Sequence, residues 1–286
     1  MKYVPKEIKT EVNVSQTHPL LNLAYLSGTV VGVTLGIYLA LGLVVDAVVP
    51  KLSQDTEVKI GQTLAPMAIA QLGGVALAED NRIAYLEKLL RSLLPPDQTD
   101  YPITVHLVDS PIVNAAALAG GQVFVTTAFL ESVESENELT FVLAHELGHL
   151  QARDGLKGLG RGLLVLAGAT LLNLGGGETS GIVTQTINLK ELDYSRTQET
   201  AADRLGLQGT IRHYGHGGHS LDFFVRLAAE ERDRATISRY FTTHPLTGDR
   251  ITTLENLAQT QGWSMTGSLT PLPANLACPN FEPCDQ

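Results

Sequence analysis

The sequence predicts a mainly helical α+β domain behind one long apolar helix. Three observations carry that prediction. Residues 23–49 are apolar and hold no charge before Asp46. The chain from Thr127 to Trp263 is mostly helical in pattern. One short region holds strand signals: 103–108 alternates β-branched and polar residues, and 115–119 and 122–126 flank the Gly120-Gly121 pair.

Composition narrows the class. A chain of 286 residues suffices for one domain with a full core. Hydrophobic residues at 44% and charged residues at 17% exclude a disordered tail. A net charge of −10 argues against nucleic-acid binding, which needs a positive footprint. The two cysteines, Cys278 and Cys284, are too few for a disulfide scaffold or a cysteine-rich zinc module. In an oxidising compartment they could pair; otherwise they are free thiols in the tail.

Residues 1–22 read as a polar arm and 23–49 as a transmembrane anchor. A bilayer core takes about 20 apolar residues, whereas a cleavable signal holds about 7–15. The stretch therefore reads as an uncleaved anchor, with a cleavable signal or a buried core helix as the alternatives. Lys2, Lys6 and Lys9 precede it, and Lys51 and Lys59 follow. That difference leans towards a cytoplasmic N-terminus and an extracytoplasmic catalytic domain, periplasmic or lumenal. Gly28, Gly32 and Gly36 recur every fourth residue, which suits a helix partner or a homodimer.

Residues 50–72 read as a connector with some helical periodicity. Ile83, Leu86, Leu90 and Leu93 mark an amphipathic helix that Pro95-Pro96 stops. Residues 103–108 read as a strand, and 115–119 with 122–126 as a hairpin around Gly120-Gly121. A second apolar run, Leu163 to Leu174, is too short to span a bilayer and reads as a core or surface-lying helix. The domain is expected over 50–263, with an irregular tail over 264–286.

The chemistry lies in His145-Glu146-Leu147-Gly148-His149. Residues i and i+4 share a helix face, so both imidazoles can reach one metal ion, with Glu146 as general base. Ser135 and Glu138 form a capping-box pattern that starts this helix upstream. A catalytic zinc site needs a third protein ligand. Residues 189–207 read as a helix on which Glu199 can supply it. Asp203, one turn further, can accept a ring N–H from a ligand histidine. His213, His216 and His219 recur every three residues and read as a polar loop, with a second metal site as the weaker alternative.

These residues resemble metallopeptidase family M48. Four motifs agree in order: Asn114-Ala115 with Gly120-Gly121 and the strand after it; His145 to His149; Ser195-Arg196 with Glu199, Ala202 and Asp203; and Thr243-His244-Pro245 with Arg250-Ile251. The resemblance spans about residues 55–262. It implies a helical gluzincin domain with a small β-sheet and one Zn2+ per chain. It also implies a substrate-binding edge at Asn114, Gly121, Gln122, Val123, Phe124 and Val125, where an extended chain adds along 122–126. His244 is assigned by resemblance as the catalytic donor to the developing oxyanion. A latch ligating zinc at rest is the competing role. A single preceding span favours the soluble-domain branch, acting on unfolded or misassembled proteins, over prenylated-peptide cleavage. The implied function is a membrane-anchored zinc endopeptidase of protein quality control. The alternative is a chaperone or assembly factor that uses the fold to hold clients and rarely cuts.

Overall fold

The apolar stretch folds as one helix, α1, Pro19–Val48. Among the described residues it is the one helix long and apolar enough to cross a membrane. The computed structural model describes residues 18–160, 194–230, 244 and 249–282. The run 163–174 and most of the 189–207 segment's first turns therefore lie outside the described residues. The chain divides into two units, residues 1–44 and 45–286.

The second unit begins with the last turn of α1. Val45 and Val49 are buried in one apolar cluster with Ala119 and Leu156. Helix α2, Gln54–Gln71, follows, and its N-cap Ser53 accepts from the Thr56 amide. Helix α3, Asn81–Leu93, carries the expected apolar positions and ends before Pro95-Pro96. Its cap is Asp80, whose carboxylate also pairs with the buried Arg82.

Four strands form one sheet in the order β1-β2-β4-β3. They are β1 (Val75–Ala76), β2 (Thr104–Asp109), β3 (Ala115–Leu118) and β4 (Gln122–Thr126). The hairpin is as expected: β3 runs antiparallel to β4, from Ala115↔Val125 to Leu118↔Gln122. Gly120 and Gly121 turn it with φ of +68° and +77°, a region that favours glycine. A Cβ at Gly120 would run into the α2 backbone at Val58. Strand β4 also pairs in parallel with β2, from Thr104↔Gln122 to Val108↔Thr126. That overturns the expected strand addition along 122–126, because both backbone edges of β4 are already used. Among the described residues the outer strand on this side is β3.

Helix α4, Thr127–Ser132, leads to α5, Glu136–Gln151. Ser135 caps α5 by accepting from the Glu138 amide. Glu138 does not complete the expected box; its carboxylate takes the Glu134 amide and Arg226 instead. Helix α6 spans Arg196–Tyr214, α7 Asp222–Glu230 and α8 Asp249–Gln261. The expected helix over 189–207 thus starts later, at Arg196. Ser195 and Gln198 form a reciprocal capping box that fixes this start.

The main core lies between the sheet, α3, α5 and α7. Leu86, Leu107, Val123, Phe141, Phe223 and Phe224 are at most 2% exposed within it. Each such side chain contributes about 1.5–3 kcal/mol through burial. The tail over 264–282 is irregular, as expected, but it is strapped to this core. Thr270 exchanges bonds with Glu136 and Asn137, and Arg82 donates to the carbonyl of Ala277. Cys278 is disulfide-bonded. The sequence holds one other cysteine, Cys284, outside the described residues.

Candidate metal centre

Two helices in close contact build the site. Small residues let their backbones approach. A Cβ at Gly148 of α5 would stand 2.9 Å from the Ala202 Cα of α6, and one at Gly206 would stand 3.1 Å from the His145 amide nitrogen. This approach brings Glu199 of α6 against His145 and His149 of α5. All three are buried, as is His244 from the loop before α8.

Four donor atoms converge. His145 Nε2 lies 3.2 Å from His149 Nε2 and 3.2 Å from His244 Nδ1. Glu199 Oε1 lies 2.9 Å from His244 Nδ1 and 3.3 Å from His149 Nε2. Tetrahedral zinc with ligands at about 2.0–2.1 Å sets its donors about 3.3 Å apart. The spacing therefore fits one zinc ion. Among the described residues this is the one group of three or more potential ligands that could hold a metal.

The electrostatics fit as well. Burial raises the pKa of Glu199, but hydrogen bonds from His149 and His244 outweigh this and hold it far below the carboxylate range. Burial lowers His145 and His244, which keeps both imidazoles neutral. Burial also lowers His149, yet Asp154 and Glu199 push it up to about 9. The protein groups alone thus hold a buried anion and raise one imidazole to balance it. Such a donor set is built around a cation, and metal uptake would release that proton.

Glu146 is fully buried beside the cluster, with Oε1 3.4 Å from His244 Nε2. Burial pushes its carboxyl up to about 7, against the lowering effect of His145 and His149. The backbone N–H of Ala117, in β3, also acts on this carboxylate. The outer strand therefore borders the site.

Asp203 stands where the sequence put it, with Oδ1 3.0 Å from His145 Nδ1. Arg250 grips it with two bonds of 2.7 and 2.8 Å, and its Nη1 lies 2.9 Å from Glu199 Oε2. Asn114 lies at the head of β3. Its backbone exchanges bonds with Thr126, and its buried Oδ1 has no hydrogen-bond partner among the described residues. Gly121 is the hairpin turn, while Gln122, Val123, Phe124 and Val125 are buried inside the sheet, away from its outer edge.

Sequence reasoning missed three contributors. Asp154 Oδ2 lies 3.1 Å from His149 Nδ1. Tyr194 stacks on the His149 ring at 3.9 Å between centroids and 13° between planes. Arg250 was visible only as part of a motif; its grip on two carboxylates was not. His213, His216 and His219 do not converge: His213 faces Ser92, and His219 bonds Asp222.

Residues 77–258, well over half of the chain, match the model of Peptidase family M48. The chain is 30% identical over 170 residues to the human mitochondrial metalloendopeptidase OMA1, covering 54% of this chain and 32% of that one. It is 28% identical over 178 residues to the beta-barrel assembly-enhancing protease of Yersinia pestis, covering 55% and 35%. It is 27% identical over 176 residues to the OMA1 of Schizosaccharomyces pombe, covering 60% and 51%. The chain thus spans about a third to a half of the length of these curated relatives.

Proposed function

This chain belongs to peptidase family M48, and from that premise we propose that it is a membrane-anchored zinc endopeptidase acting on unfolded or misassembled proteins. One observation carries the reading: four buried donors stand at zinc spacing with a buried carboxylate beside them. The relatives named for metalloendopeptidase activity and β-barrel assembly support the substrate class. In this reading residues 50–263 are the peptidase domain, 23–49 its anchor, 1–22 an arm and 264–286 the tail.

His145, His149 and Glu199 would hold the ion. When bound, zinc supplies a Lewis acid and lowers the pKa of water to about 7. Glu146 takes the proton of the attacking water and passes it to the leaving amine. Its raised pKa suits both transfers. Asp203 fixes His145 as the tautomer that ligates through Nε2, and Arg250 holds Asp203 and Glu199 in register. The extended substrate aligns with β3, the outer strand, rather than with β4. Asn114 offers a buried acceptor oxygen at the head of that strand.

His244 would be the fourth donor to a bound ion at rest, and substrate entry would require it to leave. This reading is favoured over a standing oxyanion donor by its Nδ1 lying among the ligand atoms. On displacement its N–H becomes available to the developing oxyanion.

The lysine bias and the disulfide at Cys278 both support an extracytoplasmic domain. A Cβ added at Gly28, Gly32 or Gly36 would meet nothing within 4 Å, which leaves room for a helix partner or a second copy.

The test is digestion of unfolded casein by the full chain in detergent. Cleavage that stops on chelation, returns with zinc and is lost in Glu146→Gln is the expected result. Client binding without any cleavage by the zinc-loaded wild type would overturn the proposal in favour of an assembly factor.

A further inference from the structure

Asp154 belongs to none of the motifs that mark the metal centre, yet it touches one of the motif histidines. It lies three residues beyond the end of α5 and is 2% exposed. Its Oδ2 lies 3.1 Å from His149 Nδ1. The Gln198 side chain helps His149 to hold this carboxyl below its usual range, against the opposing effect of burial. Gln198 is the capping-box residue of α6 and directly precedes Glu199.

The turn that carries Asp154 is itself pinned. Arg153 has φ of +55° and donates from Nη1 to the carbonyls of Val49 and Leu52, at 2.7 and 3.2 Å. Its Nε pairs with the buried Glu57 at 3.0 Å, and Glu57 accepts from the Gly120 amide. A carboxylate aimed by such a turn has little freedom to miss its imidazole.

We propose that Asp154 is a positioning residue for the metal centre, setting the tautomer and rotation of His149. The inference rests on the zinc reading of the site. His149 can ligate through Nε2 only if Nδ1 carries its hydrogen, and an anionic acceptor at Nδ1 enforces that tautomer. Tyr194 fixes the plane of the ring by stacking; Asp154 fixes the angle within that plane. The arrangement repeats the Asp203–His145 contact on the other ring, so each histidine of the motif has its own carboxylate.

Zinc affinity of the full-length protein in detergent tests this, measured by competition with a chromophoric chelator. Loss of such an outer contact weakens metal binding about 10–100-fold. Asp154→Ala is expected to fall in that range. Asp154→Asn keeps an acceptor oxygen and should recover part of the loss while remaining more than twofold weaker than wild type. Cobalt-loaded Asp154→Ala should show a shifted d–d band, because the His149 ring is free to turn. Lys157→Ala, which removes only a 3.7 Å neighbour of Asp154, should stay within twofold of wild type. A purely structural role would lower the melting temperature and leave the cobalt band in place, which overturns the proposal. So does an Asp154→Ala affinity within twofold of wild type. If Asp154→Ala fails to fold, Asp154→Asn decides by the same twofold limit. A wild type that binds no zinc overturns the metal centre itself; a wild type that binds normally beside unaffected variants overturns only the role of Asp154.

Discussion

Helices α1 and α5 break the usual rule of apolar inside and polar outside in opposite directions. Along α1 the large apolar side chains face outward, with Leu43 73% exposed. Along α5 the polar residues Asn137, Glu138, Thr140, His145, Glu146 and His149 are all at most 1% exposed. Each inversion identifies the surroundings its helix was selected for. Exposed leucines on a helix with no charge before Asp46 suit hydrocarbon, where no polar partner exists. Buried imidazoles and carboxylates persist because each has a partner or a cation to face. Polarity alone therefore says little; what decides is whether each exception has an answer.

Substitutions can break this comparison, beginning where the effect is largest. Removing a ligand in α5 or α6 should abolish the centre: His145→Ala and Glu199→Ala are expected to lose both zinc, by metal analysis, and peptide hydrolysis. Glu146→Gln should keep zinc and lose about 10²–10⁴-fold in rate, the scale of one general base. Next comes the outer shell. Asp203→Ala removes two of the bonds of buried Arg250 but leaves its pairing with Glu199, and should cost about 1–3 kcal/mol in urea unfolding of the metal-free protein. In α1 the penalty has a different source. Leu35→Lys places a charge near mid-span and should cost about 2.5–3.5 kcal/mol of insertion, read by alkaline extraction from membranes; zinc binding should be unaffected.

A glycine pair sharpens the contrast at smaller scale. Gly148→Ala forces α5 against Ala202 and should cost about 1–3 kcal/mol. Gly32→Ala meets nothing within 4 Å and should stay within about 0.5 kcal/mol in thermal unfolding of the full chain. A pH response is confined to α5. Glu146 works only as a carboxylate, and burial raises its pKa to about 7. Activity therefore falls as pH drops, by about tenfold per unit below the limb. A bound cation favours the carboxylate, so the limb in kcat/KM should lie at or below pH 7.

Much of the site was legible because its residues repeat at helical spacing. His145 and His149 sit four apart, as do Glu199 and Asp203, and the structure brings all four together. The helix at Asn81–Leu93 and the hairpin at Gly120-Gly121 were legible for the same reason: local spacing carries them. Asp154, Tyr194 and the double grip of Arg250 were not, because their meaning depends on contacts across the chain. Strand order also escaped. Alternation cannot say whether a strand is central or outer. Yet Val123-Phe124-Val125 is an unbroken apolar run, the signature of a strand covered on both faces, and it pointed away from an exposed binding edge. The start of α6 was readable too, in Ser195 and Gln198, but helical periodicity further upstream masked it.

The contacts of Arg153 bear on where the chain can be shortened. Its guanidinium is held by Val49, Leu52 and Glu57, and Val45 and Val49 share a buried cluster with Ala119 and Leu156. A soluble form trimmed to begin after Ser53 would strip Arg153 of two acceptors and lay Ala119 and Leu156 open to water. A form beginning a turn before Val45 would keep that seam closed. The final turn of the apolar helix is thus shared property, membrane-like in its letters and part of the soluble body in its packing.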